Sequence, residues 1–130
     1  MALKQYNIKN PENHLLACET DIEKNKSILY EFAEKQKFDA VIASEDILAI
    51  AAIKFAKSVN LKIPQEISIT GYNNSLLARC CEPELTSVDN KVEDICSHAT
   101  AALTMILKNE NVPSSICIPT KLVKRKSTMI

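Results

Sequence analysis

Residues 38–75, FDAVIASEDILAIAAIKFAKSVNLKIPQEISITGYNNS, decide the fold class of this chain. The unbroken apolar residues 40–43 have the pattern of a parallel strand that is covered on both faces. A helix follows, because apolar residues recur every three or four positions between Leu48 and Val59. Residues 66–70 are predicted to form the next strand. A strand, a helix and a strand in this order predict a βαβ unit with a parallel sheet and a right-handed crossover.

The rest of the chain continues this alternation. Residues 20–23 and 90–93 match capping boxes, and each predicts the start of a helix. The second of these helices is long and amphipathic, from Val92 to Ile106. Further extended segments are predicted at residues 14–18, 85–88, 116–118 and 121–124, and an irregular segment at residues 71–83. The sequence therefore predicts an α/β fold, a three-layer parallel sheet with flanking helices.

Charge and composition limit the classes of function. Sixteen acidic and sixteen basic residues cancel, so nothing favours nucleic acid or a membrane surface as the main partner. No apolar run approaches the length of a membrane span and no signal-peptide core is found, which predicts a cytoplasmic protein. The cysteines have no metal-binding spacing, so we expect no metal or other cofactor and interpret them as small buried hydrophobes. A redox switch at the adjacent pair Cys80 and Cys81 is the alternative.

Polar clusters follow three predicted strands, at the edge where open α/β sheets bind ligands. Asp21 follows the first strand, Glu45 and Asp46 the second, and Asn73 the third. Carboxylates and amides without a cationic cluster suit neutral polyols, sugars or nucleosides better than phosphates. A chain with a single glycine, Gly71, also cannot build a glycine-rich phosphate loop. Each cluster has a structural alternative, as a helix cap or as a turn.

Several segments in the same order resemble the C-terminal part of the LacI/GalR family of transcriptional regulators. That family has a strand ending in Ala-Asn-Asp, then Pro-x-x-(Ile/Val)-Ser-(Ile/Val) and Gly-(Tyr/Phe)-Asp-Asp. It continues with Pro-x-Leu-Thr-Thr-(Val/Ile) and a closing Leu-Val-x-Arg-x-Ser/Thr. The corresponding segments here are ASED at 43–46, PQEISITGYNN at 64–74, PELTSV at 83–88 and LVKRKS at 122–127.

The resemblance implies the type I fold of periplasmic sugar-binding proteins, in which an effector cleft lies between two α/β subdomains. Residues 1–88 and 120–130 would belong to the C-terminal subdomain. Residues 90–119 would form a crossover helix and strand of the N-terminal subdomain, so the chain would be a partial domain. Its long amphipathic helix would then lack much of its partner surface.

The resemblance also implies which residues face the effector. Asn73 occupies the position of an aspartate that commonly accepts hydrogen bonds from effector hydroxyls, and Glu45 that of an effector-facing asparagine. Asp46 keeps the family's second aspartate, and Asn90 lies at the crossover, where a polar side chain often lines the cleft. Gly71 would allow a sharp exit from the strand. The exchanged charge of Glu45 and Asn73 predicts an effector other than a simple hexose, or altered effector binding.

Residues 75–84 correspond to a loop that family members use at the dimer interface. Leu76, Leu77, Cys80 and Cys81 are apolar enough for that role. Packing of this loop on its own subdomain is the alternative. The lysines of the tail at residues 121–128 are expected to be solvated rather than to contact DNA.

These observations predict the effector-binding and dimerisation region of a LacI-type repressor or regulator. It would be a homodimer that senses a small carbohydrate-like or nucleoside-like molecule, and it would reach DNA only through a helix-turn-helix outside these residues. A solute-binding protein of a transport system shares the fold and is the nearest alternative. An α/β enzyme with Glu45 or Asp46 as its base is the second alternative. We expect no catalytic activity, because neighbours on one helical turn point in different directions and neither His14 nor His98 follows the carboxyl end of a strand.

Overall fold

The structure, a computed structural model, describes residues 5, 6 and 8–129. Its helices are α1 (Ile22–Lys35), α2 (Asp46–Ser58), α3 (Leu76–Cys80) and α4 (Val92–Leu107), and a short 3-10 helix spans Pro11–His14. Its strands are β1 (Ala40–Ile42), β2 (Ser68–Tyr72), β3 (Thr86–Asp89) and β4 (Lys121–Val123). Within the described part of the chain, none of the helices combines the length and apolarity that spanning a bilayer requires.

The strands form one sheet in the order β1-β2-β3-β4. The first three run parallel, with Val41 opposite Ile69 and Gly71 opposite Ser87. The last strand returns antiparallel to β3. The predicted α/β fold with a mainly parallel sheet and flanking helices is therefore confirmed, and the carboxyl ends of β1, β2 and β3 meet at one edge of the sheet.

Helix α2 forms the centre of the core. Its alanines are buried and small, so the helix lies close to the sheet on one side and to α1 on the other. Phe55 is 2% exposed and carries an aromatic cluster. The ring of Tyr30 meets it edge-on at a centroid distance of 5.1 Å, and the ring of Phe38 stacks on it at 6.0 Å. Burial of Phe55 makes it a main source of hydrophobic stabilisation in this chain.

Neither predicted capping box forms. Helix α1 begins at Ile22, so Asp21 rather than Thr20 caps it. The Asp21 carboxylate accepts hydrogen bonds from the backbone N–H groups of Glu23 at 2.9 Å and Lys24 at 3.0 Å. Helix α4 does begin within residues 90–93, as predicted, but its N-cap is Lys91, a residue in the left-handed region whose side chain makes no capping bond.

Several predicted extended segments differ in the structure. The segment 14–18 is not a strand, because the 3-10 helix ends at His14 and residues 15–18 pair with no strand of the described chain. Residues 116–118 also lie outside every strand of the described chain. Strand β2 starts two residues later than predicted, because a turn occupies residues 63–66. The segment 71–83, expected to be irregular, contains the end of β2 and the short helix α3.

Two apolar surfaces are open. Strand β1 was predicted to be covered on both faces, but its Ile42 is 82% exposed, so that prediction is wrong. Helix α4 has no buried residue, although it carries a full apolar face. Leu103 and Ile106 on that face are each 58% exposed. These surfaces contrast with the tight packing around α2.

Candidate functional site

The carboxylate of Asp46 connects α2 to the carboxyl-terminal edge of the sheet through hydrogen bonds. Asp46 is 2% exposed at the start of α2. One of its oxygens accepts hydrogen bonds from the backbone N–H and the hydroxyl of Ser75, both at 2.7 Å, and the other accepts from the hydroxyl of Ser87 at 2.6 Å. Both oxygens are therefore occupied within the chain. This corrects the expectation that Asp46 faces a ligand, since its role is to hold the segment after β2 against β3 and α2.

The single glycine is explained by the same aspartate. Gly71 lies inside β2 and does not have a positive φ, so the predicted sharp exit at Gly71 is wrong. A Cβ at this position would overlap Oδ1 of Asp46 and would lie 2.8 Å from Cδ2 of Leu85. The glycine is needed for close approach rather than for a turn. The chain turns two residues later, at Asn73 with φ 98° and Asn74 with φ 48°, where asparagine tolerates the left-handed region.

Asn73 and Asn90 meet at the carboxyl ends of β2 and β3. The backbone N–H of Asn73 donates to the carbonyl of Val88 at 2.9 Å, which holds the turn on the sheet. The side-chain NH₂ of Asn90 donates to Oδ1 of Asn73 at 3.0 Å. In this amide orientation Oδ1 of Asn90 is buried, and no group of the described chain donates to it. The group that a ligand can reach is the side-chain NH₂ of the exposed Asn73, which donates to no group of the described chain.

A cation also reaches this edge, which the sequence did not predict. The guanidinium of Arg125 donates to the carbonyl of Leu85 at 2.7 Å and to Oδ1 of Asn74 at 2.6 Å. The Arg125 guanidinium therefore fixes the side chain of Asn74. No local pattern could have found this pair, because 51 residues separate its members. The only signal was the arginine of the closing Leu-Val-x-Arg motif.

The residues after β4 hold Arg125 in place. The hydroxyl of Ser127, which is fully buried, accepts from the backbone N–H of Thr86 at 2.8 Å and donates to the carbonyl of Ile69 at 2.6 Å. The hydroxyl of Thr86 in turn accepts from the backbone N–H of Arg125 at 2.9 Å. These bonds tie the tail to two strands. Lys121, Lys124 and Lys126 are exposed, as expected of a solvated tail.

Asp89 and Lys91 complete the edge beside Asn90. The backbone N–H of Lys91 donates to the Asp89 carboxylate at 2.9 Å, and this bond is the main cause that lowers the pKa of Asp89 below its ordinary value of 3.8. The ammonium of Lys91 lies 3.3 Å from the same carboxylate. The pair is a surface ion pair, and such pairs contribute little stability. Its effect is to place a fixed, ionised carboxylate next to the two amides.

The remaining predicted ligand residues have different positions. Glu45 is exposed at the N-cap position of α2, where its side chain makes no capping bond, so its carboxylate is free at the end of β1. The Asp21 carboxylate accepts both capping bonds of α1, and it makes no hydrogen bond to the side chains described above. The structure thus brings Asn73 and Asn90 together, leaves Glu45 at the same edge and uses Asp21 as a cap.

The predicted dimer residues are split between surface and interior. Leu76 is 67% and Leu77 43% exposed on α3, and Cys80 is exposed. Cys81 is half-buried, and burial raises the pKa of its thiol. The interpretation of the cysteines as buried hydrophobes is wrong for most of them, because Cys18, Cys80, Cys96 and Cys117 are exposed. Among the described residues, no group of three metal-ligating side chains comes together.

Comparison with known proteins identifies the family of this chain. The sequence profile of the periplasmic binding protein-like domain matches residues 4–128. A helix-turn-helix-type transcriptional regulator of Lachnoclostridium phytofermentans is 41% identical over 128 residues, 98% of this chain and 38% of that protein. The helix-turn-helix-type transcriptional repressor PurR of Yersinia pestis is 31% identical over 97% of this chain, again 38% of that protein. The chain thus spans well under half the length of these curated relatives.

A solved structure shares the fold. A sugar-binding transcriptional regulator of the LacI family from Escherichia coli, solved with phosphate, superimposes with a TM-score of 0.86 at 24% identity. The match covers 97% of this chain and 46% of that one. Together with the profile, the matched relatives show that the chain belongs to the periplasmic binding protein-like domain family, and these relatives are helix-turn-helix-type transcriptional regulators.

Proposed function

We propose that this chain is part of the effector-binding and dimerisation region of a cytoplasmic LacI-type transcriptional regulator. It supplies one side of a ligand cleft, and the ligand is a small polyol, a carbohydrate or a nucleoside. DNA contact belongs to a helix-turn-helix outside these 130 residues, and the chain itself carries out no catalysis. The matched relatives, named as regulators and repressors, favour this role over that of a transport protein.

The observation that carries the proposal is the pair Asn73 and Asn90. Their side chains are joined at 3.0 Å, and the buried Oδ1 of Asn90 lacks a donor in the described chain. The bond from Asn90 holds the exposed Asn73 side chain in one orientation, with its NH₂ free to donate to a ligand oxygen. Glu45 adds an exposed carboxylate at the end of β1 that accepts further hydroxyl donors.

The residues that hold the turn differ from those that contact the ligand, and the mechanism follows from this difference. Asp46 and Arg125 hold the turn through internal bonds, so ligand binding needs no rearrangement of the turn itself. A ligand that also contacts the other side of the cleft would favour one arrangement of the two lobes. Its effect on DNA binding equals its difference in affinity for the two arrangements.

A ligand panel tests the proposal. Calorimetric titration of the native gene product with cellobiose, lactose, glucose, adenosine and inosine is expected to give saturable binding by at least one compound. Asn73→Ala and Asn90→Ala should each weaken that binding by about tenfold or more, the effect of one or two lost hydrogen bonds. Asn111→Ala, an exposed asparagine after α4, is the matched control and should bind normally.

Two results would contradict this function. One is saturable binding that neither Asn73→Ala nor Asn90→Ala weakens. The other is a failure of every compound in the panel to bind at millimolar concentration. Either result would remove the polyol site from this edge of the sheet.

The exposed leucines of α3 support dimerisation. Leu76 is 67% exposed beside Leu77, and an apolar pair on a short surface helix suits burial against a second copy. Sedimentation equilibrium of the native gene product is expected to show a dimer, and Leu76→Asp should shift it toward the monomer. If the dissociation constant of the dimer is unchanged in Leu76→Asp, the interface lies elsewhere.

A further inference from the structure

We propose that Glu45 makes the ligand edge specific for a molecule with a protonated amine, and that this molecule is an amino sugar. The inference rests on the proposed function, because it names the ligand class of the same site. In this assignment the side-chain NH₂ of Asn73 donates to an oxygen of the sugar, and the Glu45 carboxylate accepts from its ammonium group.

The fold places Glu45 beside the turn that carries Asn73. Strands β1 and β2 are parallel neighbours, so their carboxyl ends meet. Asp46 follows Glu45 in the chain, and its carboxylate accepts from the backbone N–H of Ser75 at 2.7 Å. Ser75 lies only two residues after Asn73. The backbone at Glu45 and the turn are therefore held side by side by bonds that leave the Glu45 side chain unused.

The carboxylate of Glu45 has no compensating charge within the described chain. Glu45 is exposed, its side chain caps no backbone N–H group, and it takes part in none of the ion pairs of the described residues. The guanidinium of Arg125 is already bonded to the carbonyl of Leu85 and to the side chain of Asn74. A cation that neutralises Glu45 can therefore be supplied by the ligand.

The other charges of this edge lie at its opposite end. Asp89 pairs with Lys91 at 3.3 Å, and Lys121 lies opposite Asp89 on β4. Strand β2 separates β1 from β3, and neighbouring strands are about 4.8 Å apart, so this group is roughly 10 Å from β1. Exposed charges at such a distance are largely screened at physiological salt. The edge is therefore negative at its β1 end and compensated at its β3 end.

This charge distribution favours an amine over a neutral ligand. A ligand that fills the cleft displaces water from the Glu45 carboxylate, and a charge that loses its water without gaining a partner is costly. A hydroxyl group supplies only a hydrogen bond, whereas an ammonium group supplies a hydrogen bond and the opposite charge. The common nucleosides carry no protonated amine at neutral pH. An amino sugar has both the ammonium group for Glu45 and the hydroxyl oxygens for Asn73.

Matched pairs of sugars test the inference on the native gene product. D-glucosamine is compared with D-glucose, and deacetylated chitobiose with cellobiose, by calorimetric titration at about pH 6.5, where such amines are mostly protonated. The members of each pair share a skeleton and differ in the amine. At least one amino sugar is expected to bind at least about tenfold more tightly than its neutral counterpart, the effect of one charge-assisted hydrogen bond.

Variants locate the discrimination. Glu45→Gln keeps the size of the side chain and removes its charge, so the ratio of the two affinities should fall to near one. Glu34→Gln is the matched control, because Glu34 is exposed in the last turn of α1, where the chain leads to the start of β1, and it should keep the ratio. Asn73→Ala should weaken both sugars of a pair and leave their ratio within about threefold.

Two outcomes would overturn the inference and leave the proposed function standing. The first is binding of a neutral sugar or a nucleoside when neither amino sugar binds more tightly than its counterpart. The second is a preference for the amino sugar that Glu45→Gln does not reduce. Failure of every neutral and amino compound to bind at millimolar concentration would instead contradict the proposed function together with the inference.

Discussion

Two regions of this molecule differ in how fully their groups are packed and hydrogen-bonded. The bonded region comprises Asp46, Ser75, Ser87, Thr86 and Ser127, and each of its polar groups finds a partner inside the chain. The open region comprises the outer edge of β1 and the helix α4, whose apolar side chains are exposed. The bonded region is complete in these 130 residues. The open region exposes apolar side chains of the kind that normally form a protein interior.

The residues that determine the geometry of the ligand edge belong to the bonded region or are bonded to it, and none of them belongs to the open region. Asn73 and Asn74 are set by bonds of the bonded region, to Val88 and to the hydroxyl of Ser87. The ligand edge should therefore keep its geometry even where the open region is altered. Substitutions in the two regions should accordingly have very different effects on stability.

The largest effect is expected for Asp46→Ala. The substitution removes three hydrogen bonds and leaves the hydroxyls of Ser75 and Ser87 without their acceptor, which should lower the free energy of unfolding by about 3 kcal/mol or more. Urea denaturation measures it. Glu45→Ala is the matched control, because Glu45 is the exposed neighbour without a capping bond, and it should lose less than about 0.5 kcal/mol. Equal losses would abolish the distinction between the regions.

Gly71→Ala should have the next largest effect. The added methyl group would overlap Oδ1 of Asp46, and such overpacking typically costs about 1–3 kcal/mol. The same urea experiment applies. In an Asp46→Ala background the cost should fall, because the overlapping oxygen is gone and contacting sites are not additive. An unchanged cost in that background would mean that Gly71 is needed for another reason.

The Asp21 cap gives a smaller, pH-dependent effect. The N–H of Lys24 is the main cause that lowers the pKa of Asp21 below 3.8 in the folded chain. A lowered folded-state pKa gives stability that is present above the unfolded pKa and lost as the pH falls through the folded one. The difference in urea midpoint between the original chain and Asp21→Ala should be present at about pH 7 and vanish by about pH 2. A difference that persists unchanged at the low pH would contradict a charged cap.

The smallest effect is expected in the open region. Leu103→Ser on α4 should change the free energy of unfolding by less than about 0.5 kcal/mol, because Leu103 is already 58% exposed. The matched substitution in the core is Ile69→Ser, where the side chain is fully buried and the loss should be several kcal/mol. A large loss for Leu103→Ser would show that α4 is covered in solution.

The sequence predicted what depends on local pattern. Helix α2, helix α4 and the three parallel strands follow from apolar spacing, and the fold class follows from their order. The extended segment at residues 14–18 was predicted as a strand and is not one, since pairing depends on a neighbour that pattern alone does not reveal. Gly71 was wrongly assigned to a sharp exit from the strand. Its position is constrained by the carboxylate of Asp46, which lies on another element and cannot be found from local pattern.

The candidate site was predictable in part. The amides Asn73 and Asn90 were predicted from strand ends and from resemblance, and the structure brings them together. The inward direction of Asp46 could not be predicted, because both of its serine partners lie far along the chain. Arg125 was missed because its contact with Asn74 exists only after β4 returns beside β3.

The size of the native gene product tests the central claim most directly. An antibody raised against this chain would be used to blot an extract of the source cells. We expect a band well above the 14.5 kDa of these 130 residues, because a regulator needs a DNA-binding segment in the same polypeptide. A band at 14.5 kDa would contradict the account, since a chain of that size has no room for such a segment beside this domain.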